Sequence, residues 1–321
     1  MLTERRDIDY SFLAVAKSTA AFLKRNPLYP VYALAGQPVA FSLEPTYACP
    51  LNCEFCYEPD KTGEKDPSKE DFLTELDQKK IEYPGVDFAV WVGGEPTLKQ
   101  DVLKEGIKRF GVNWIVTNGT RPIEEEGEAW PRIAFFVSVH GLEEAHNAIV
   151  RPTNPNLNAY RKAMKTVNDA KTPFYVHTVI TEDNFEDIEH LVREWREETR
   201  VKGFMFSCAT PTIVMPRTNE VDRIQKREEI VKKLLQLKKT HGGFVLMTDN
   251  DIKNLLPSRQ EKVFGRNCRL KNIVVSFDPK FNEKRPCVMG ASMDCGRCGC
   301  GLNAMSTGLA GMKTMSVSAK S

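Results

Sequence analysis

The chain has 321 residues, of which 41% are apolar, and a formal net charge of +2 from 45 basic and 43 acidic residues. This length allows two average domains or one barrel with an extension, and the apolar share is enough for a large core. Because the charge is nearly balanced, the sequence shows no general attraction for nucleic acid or acidic lipid. We find no apolar run long enough to span a bilayer.

The first 37 residues are predicted to form a helical extension. Residues 10–24 have apolar side chains at helical spacing, so this helix either packs on the rest of the protein or makes peripheral contact with a membrane. We find no secretory signal, and the nine cysteines are an odd number in close clusters. This usage predicts metal sites rather than disulfides, and a cytoplasmic location.

Three closely spaced cysteines are the most informative motif. Cys49, Cys53 and Cys56 have the spacing Cys-x3-Cys-x2-Cys. Soft thiolates select zinc, copper(I) or iron–sulfur iron, and three on one loop can hold three corners of a 4Fe-4S cube, leaving the fourth iron open. A structural zinc site is the alternative, but such sites usually use four protein ligands.

A second motif, Gly93-Gly94-Glu95-Pro96, ends an apolar run that begins at Val86. Glycines just past a buried strand let the backbone come close to a ligand, and a carboxylate there can pair with an ammonium group. The same four residues are also typical of a tight strand-to-helix turn. Both interpretations place this motif at a strand end.

Apolar strand runs alternate with helical patterns from about residue 38 to 243, which predicts an α/β fold built as a partial (β/α)6 TIM-like barrel. One helix is expected after a capping Asp183 or Asn184, and another over Glu220–Lys239, ending at Gly242. The six predicted strands are Val39–Leu43, Val86–Val92, Asn113–Thr117, Ile133–Val139, Phe174–Ile180 and Gly203–Ser207.

Five cysteines lie in the predicted extension, residues 244–305, which precedes a flexible tail at 306–321. They are Cys268, Cys287, Cys295, Cys298 and Cys300. The sequence between the first two predicts a strand, a turn at Asp278-Pro279 and a return strand, a hairpin that would bring them together. Four of the five, with Cys268, Cys287, Cys295 and Cys298 favoured, could close an auxiliary 4Fe-4S cluster, and zinc is the competing metal.

The cysteine loop and the Gly-Gly-Glu-Pro turn together resemble the radical SAM superfamily. This resemblance implies that the 4Fe-4S cluster on the three loop cysteines binds S-adenosylmethionine and cleaves it reductively to a 5′-deoxyadenosyl radical. It further implies that Gly93, Gly94, Glu95 and Pro96 bind the cofactor, with Glu95 at its methionyl amine. Four further positions match cofactor-contacting residues of the superfamily: Asn118, Ser138, Arg151 and Thr178.

Two histidines near the predicted strand ends, His140 and His177, are candidates for proton transfer to or from a substrate. His140 is the stronger of the two. A structural histidine with satisfied hydrogen bonds is the alternative for both.

The arrangement of the whole chain resembles the adenosylhopane synthase-like branch of the superfamily, with a cysteine-rich extension of the twitch or SPASM type. This implies a polyprenoid or other lipid substrate and a flavodoxin- or ferredoxin-type electron donor. One alternative is a twitch or SPASM enzyme that modifies a peptide or a small metabolite. A second is a non-catalytic iron–sulfur or zinc scaffold.

Overall fold

A parallel β-sheet organises the molecule in this computed structural model, which describes residues 37–58, 64–124, 133–211 and 226–306. The predicted N-terminal helix and almost all of the predicted tail lie outside these residues. The strands are β1 Ala40–Leu43, β2 Phe88–Trp91, β3 Val112–Thr117, β4 Ile133–Ser138, β5 Phe174–Ile180, β6 Phe204–Cys208, β7 Val274–Phe277 and β8 Glu283–Lys284.

The sheet has the order β6-β5-β4-β3-β2-β1-β7-β8, with all neighbours parallel except the antiparallel pair β7 and β8. Strands β1 to β6 confirm the predicted partial barrel. The predicted hairpin is also present as β7 and β8. Its first strand does more than the sequence indicated, because it pairs in parallel with β1 and extends the barrel sheet.

Helices cover the outside of this sheet. They are α1 Lys69–Glu82, α2 Gln100–Gly106, α3 Glu143–Val150, α4 Ala159–Asp169, α5 Ile188–Glu198, α6 Arg227–His241, α7 Asp249–Lys253, α8 Gln260–Val263 and α9 Leu270–Ile273. Short 3₁₀ turns are found at Pro96–Lys99, Ile107–Arg109, Gly242–Phe244, Pro257–Arg259, Gly265–Asn267 and Cys295–Arg297.

One predicted helix start needs correction, and another lies outside the described residues. Helix α5 begins at Ile188 after Asp187, and neither Asp183 nor Asn184 caps it. The Asn184 side chain instead accepts a bond from Thr181 N and donates to the His140 and Val179 carbonyls, so tertiary contacts outweigh the local capping preference. Helix α6 covers Arg227–His241 and ends before Gly242 as predicted, whereas the predicted start at Glu220 lies in the segment 212–225, outside the described residues.

Alternation along the strands separates the two faces of the sheet. In β5, Phe174, Val176, Thr178 and Ile180 are buried, whereas the intervening side chains are only partly buried. Because successive side chains point to opposite faces, the first set packs toward the helices and the second faces the barrel interior. This register decides which polar residues of the strand reach the interior.

The C-terminal region contacts both edge strands of the six-stranded barrel. On one edge β7 pairs with β1. On the other edge Cys208 N donates to the Gly299 carbonyl at 2.9 Å, and Gly301 N donates to Ser207 Oγ at 2.9 Å. The extension therefore bridges the gap that an open barrel leaves between its first and last strands.

Candidate functional site

The segment 44–58, here called the cysteine loop, follows β1 and is bound to the end of α3. Asn52 N donates to the Val150 carbonyl at 3.0 Å, and Glu54 N donates to the Ile149 carbonyl at 3.1 Å. Leu51 is buried in a small apolar cluster with the same end of α3. These contacts fix the loop backbone against the barrel.

A cavity of about 320 Å³ occupies the barrel interior and its carboxyl end. Cys49, Cys53 and Cys56 line it from the cysteine loop, and Cys287 and Cys300 line it from the extension. The structure therefore brings the three predicted cluster cysteines together at one cavity, with two extension cysteines on its wall. The remaining wall is mostly apolar.

The thiols of the loop line one shared cavity, as the ligands of a 4Fe-4S cluster must. Across the segments that the structure describes, no three Cys, His, Asp or Glu side chains converge closely enough to hold one metal ion. A 4Fe-4S cube needs each thiolate at a different iron, hence thiols around a shared space. Two of these sulfurs already make polar contacts. Asn118 Nδ2 donates to Cys49 Sγ at 3.7 Å, and Cys56 Sγ donates to the Glu58 carbonyl at 3.4 Å.

The Gly-Gly-Glu-Pro turn lies directly on the cysteine loop. Gly94 N donates to the Thr46 carbonyl at 3.0 Å, and Glu95 N donates to the Ala48 carbonyl at 2.8 Å. A Cβ at Gly94 would lie 2.0 Å from the Ala48 carbonyl oxygen, and Gly93 has a φ of 104°. Only glycine permits this close approach, which explains both glycines.

The Glu95 carboxylate joins the ends of β2 and β3. Its Oε1 accepts from Thr97 N at 3.0 Å, Thr97 Oγ1 at 2.6 Å and Thr117 Oγ1 at 2.7 Å. Its Oε2 accepts from Asn118 N at 2.7 Å. Burial raises the pKa of Glu95, and these donors oppose that shift. A carboxylate has about four lone-pair sites, so Oε2 is the oxygen with acceptor capacity left for a ligand.

The other predicted cofactor residues divide into two groups. Asn118 and Ser138 line the cavity. Pro96 is buried at the start of its 3₁₀ turn. Arg151 is exposed at the C-cap of α3 with a φ of 43°, and it does not belong to the cavity wall. Thr178 lies on the helix side of β5, where its Oγ1 donates to the Val139 carbonyl at 2.7 Å.

His140 and His177 both line the cavity and are both held by hydrogen bonds. His140 Nδ1 accepts from Val179 N at 3.1 Å, and its ring contacts the Phe55 ring edge-on at 4.8 Å. His177 Nε2 lies 2.8 Å from Ser207 Oγ. Burial lowers the pKa of His140 well below its usual value and that of His177 to about 4. Both rings are therefore neutral near pH 7.

The extension cysteines lie close enough together to influence one another. Burial raises the pKa of Cys298 to about 11, and the nearby Cys268 and Cys287 add to this shift. Burial likewise raises the pKa of Cys287, Cys295 and Cys300. Thiols clustered in this way could share a metal centre, whose binding would release their protons.

Several residues near the site could not be found from the sequence. Glu44 and Tyr57 of the cysteine loop form a largely buried polar group with Lys284 of the extension, and Asn184 supports the His140 backbone. None belongs to a spacing motif. Tyr57 alone had a signal, because it directly follows the last loop cysteine.

Among the described residues, no helix combines the length and apolarity that a bilayer crossing requires.

The fold and the motif positions agree with a family-level match. Residues 43–195 match the family described as the Radical SAM superfamily. This segment runs from the end of β1 to helix α5 and includes the cysteine loop and the Gly-Gly-Glu-Pro turn. Residues 43–195 are thus similar to the domain of radical SAM enzymes.

Three relatives extend the comparison. The sporulation killing factor maturation protein SkfB of Bacillus subtilis (strain 168) is 26% identical over 165 residues, which cover 49% of this chain and 39% of SkfB. The chain therefore spans about two fifths of the curated relative it matches. SuiB of Streptococcus suis, solved with its precursor peptide SuiA, is 16% identical with a TM-score of 0.58, covering 89% of this chain and 67% of SuiB.

The third relative is anSMEcpe, solved with AdoMet and the Cp18Cys peptide. It is 16% identical with a TM-score of 0.57, covering 79% of this chain and 75% of its own. At these identities the two solved structures support the fold alone.

The branch-level prediction needs correction. These relatives are a maturation protein and two proteins solved with peptides, not members of the adenosylhopane synthase-like branch. Motifs such as Ser138-Val139-His140 at the end of β4 and the Pro286-Cys287 pair therefore do not assign the chain to that branch.

Proposed function

We propose that this chain is a radical SAM enzyme that acts on a peptide. The observation that carries the proposal is the meeting of three loop thiols, the Gly-Gly-Glu turn and two extension thiols at one cavity. A structural zinc site does not need a cavity of about 320 Å³ beside it. A reaction that must enclose a cofactor and part of a substrate does.

Cys49, Cys53 and Cys56 would hold a 4Fe-4S cluster whose fourth iron is open to S-adenosylmethionine. When bound, the cluster supplies the electron that cleaves this cofactor to a 5′-deoxyadenosyl radical. The electron would come from an external flavodoxin- or ferredoxin-type donor. The largely apolar wall excludes water from the cleavage products.

The cofactor's methionyl end would rest on the Gly93-Gly94 backbone, with Glu95 Oε2 as acceptor for its amine. Asn118 and Ser138 line the same cavity and are the side chains we assign to the rest of the cofactor. Arg151 and Thr178 do not reach the cavity wall, so we leave them out of this set. Four of the five extension cysteines would hold the auxiliary cluster.

The peptide substrate rests on the relatives. SuiB was solved with a precursor peptide and anSMEcpe with the Cp18Cys peptide, and SkfB is named for maturation. Charged side chains other than Glu95 do not contribute to the described cavity wall. We therefore expect the residue that is modified to be uncharged.

The direct test is product analysis after anaerobic reconstitution. The protein is incubated with dithionite, S-adenosylmethionine and either a pool of short peptides or a polyprenoid lipid. We expect 5′-deoxyadenosine in both cases and a covalent mass change only in a peptide. Modification of the lipid alone would return the substrate to the branch first predicted, and no 5′-deoxyadenosine at all would favour the scaffold alternative.

A further inference from the structure

The β7–β8 hairpin of the extension lies against the cysteine loop and its continuation. Tyr47 Oη donates to Asp278 Oδ2 at 3.1 Å, and Lys280 pairs with Glu64. Lys284 Nζ donates to Glu44 Oε1 at 2.8 Å and also pairs with Glu58. Residues more than two hundred positions apart are thereby joined at three places.

Lys284 differs from Lys280, the other lysine of this interface, because it is mostly buried. Its side chain is 12% exposed and that of Glu44 is 2% exposed, whereas the side chains of Lys280 and Glu64 are 47% and 54% exposed. Exposed pairs contribute little, whereas removing one partner of a mostly buried pair leaves the other charge without compensation. The energetic weight of the interface therefore lies on Lys284.

The surroundings of Lys284 connect it to both motifs of the site. Its ammonium lies 4.8 Å from the centre of the Tyr57 ring, and Tyr57 directly follows Cys56. Tyr57 and Gly93 line the same cavity, and the Gly93 backbone faces the Tyr57 hydroxyl. Glu44, the other partner, packs under the same glycine, since a Cβ at Gly93 would lie 2.8 Å from Glu44 Cβ.

We propose that Lys284 is a positioning residue that fixes the cysteine loop against the Gly-Gly-Glu turn. Lys284 belongs to the extension and pairs with Glu44 and Glu58, the carboxylates at the two ends of the cysteine loop. Its ammonium group also lies over the Tyr57 ring. The extension would then have a second role besides carrying thiols, since it holds the loop of the barrel in place. This inference rests on the proposed function for its catalytic consequence but not for its structural part.

Hydrogen exchange of the metal-free protein tests the structural part. In Lys284→Met we expect the amides of residues 54–58 to exchange on the order of tenfold faster, because the loop opens locally when the pair is lost. Lys284→Arg keeps the charge and should restore slow exchange. Lys280→Met removes an exposed pair of the same hairpin and is the matched control, with exchange unchanged.

Electron paramagnetic resonance of the reconstituted protein tests the catalytic part. In Lys284→Met the S-adenosylmethionine concentration that half-saturates the spectral change should rise about tenfold, the same order as the loop opening. Lys284→Arg should stay near the wild-type value. If the wild-type protein neither responds to nor cleaves S-adenosylmethionine, the proposed function fails while the exchange comparison still reports on Lys284.

Two results would overturn the inference. One is unchanged exchange of residues 54–58 in Lys284→Met, and the other is equal acceleration in Lys280→Met. If Lys284→Met does not fold, the triple variant Lys284→Met/Glu44→Gln/Glu58→Gln takes its place in the hydrogen-exchange comparison, because it leaves neither carboxylate without its partner.

Discussion

Glu95 shows how one side chain can serve both the fold and a ligand. It is 1% exposed, and its carboxylate accepts four hydrogen bonds from Thr97, Thr117 and Asn118. Two of these donors are backbone amides, and all lie where β2 and β3 end. The ends of two neighbouring strands are thus held in register by the residue that we assign to the cofactor amine.

Replacing Glu95 should therefore affect stability and cofactor use separately. Glu95→Ala leaves buried donors unpaired and should lower the free energy of unfolding by roughly 2–4 kcal/mol in urea titrations. Glu95→Gln keeps an acceptor, so we expect a smaller stability loss but a clearly raised KM for S-adenosylmethionine. Equal KM values for Glu95→Gln and the wild type would remove Glu95 from the cofactor site.

His177 predicts a component of acid sensitivity. Burial lowers the pKa of His177 in the folded protein from its ordinary value of 6.5 to about 4. Between these two pH values the unfolded chain binds a proton that the folded chain does not bind. The stability it contributes is complete above pH 6.5 and is lost as pH falls through 4. The contribution of His177 to the free energy of unfolding falls by about 3 kcal/mol over this range.

The measurement is the free energy of unfolding of metal-free protein between pH 7 and 4. His177→Gln should flatten the slope, whereas His190→Gln, which alters an exposed histidine, should follow the wild type. A His177→Gln slope equal to that of the wild type would contradict this account.

At the scale of elements, the segment that lies on β6 depends on two glycines. A Cβ at Gly301 would lie 1.9 Å from the Phe206 carbonyl oxygen, and one at Gly299 would lie 2.4 Å from that of Cys208. Either substitution must push the segment away from the strand. Cys298 and Cys300 would move with it.

Gly301→Ala should therefore lower iron binding by the extension and expose residues 295–306 to protease. Gly296→Ala is the matched control, since its nearest neighbour is a side-chain oxygen of Asp294 at 3.1 Å, which can move aside. Iron content and limited proteolysis measure the two effects. Equal behaviour of both variants would show that the contact with β6 does not position the thiols.

Prediction from the sequence succeeded where a pattern is local. Strands β1 to β6 follow from continuous apolar runs, and the loop and turn motifs follow from spacing. Thr178 shows the limit, because it matches a cofactor-contacting position of the superfamily while the two-residue period of β5 turns it toward the helices. Lys284 shows another limit. From the sequence, a lysine in a predicted hairpin is expected to be exposed to solvent, and its carboxylate partners are more than two hundred residues away.

At the scale of the whole molecule, the extension completes the barrel that it follows. Its strand β7 pairs with the edge strand β1, and Gly301 contacts the opposite edge strand, β6. Its β7–β8 hairpin contacts the cysteine loop. The predicted boundary at residue 243 stays a prediction, but the sheet itself continues past it. Barrel and extension should therefore unfold together rather than as two independent transitions.

Metal content tests the division of thiols between barrel and extension. The reconstituted protein should contain about eight iron atoms per chain, four for each cluster. Cys287→Ala/Cys298→Ala should bring this to about four, with the remainder on the cysteine loop. Cys208→Ser, which alters a buried thiol that we assign to no cluster, should keep the wild-type count.

The most direct test of the central claim asks whether S-adenosylmethionine binds to the iron held by the cysteine loop. The reduced protein is mixed with cofactor labelled with ¹⁵N at its amine and ¹³C at its carboxylate, and electron–nuclear double resonance is recorded. We predict label-dependent hyperfine couplings in the wild type that vanish in Cys53→Ala. Absence of such couplings in a wild-type protein that carries its full complement of iron would contradict the account.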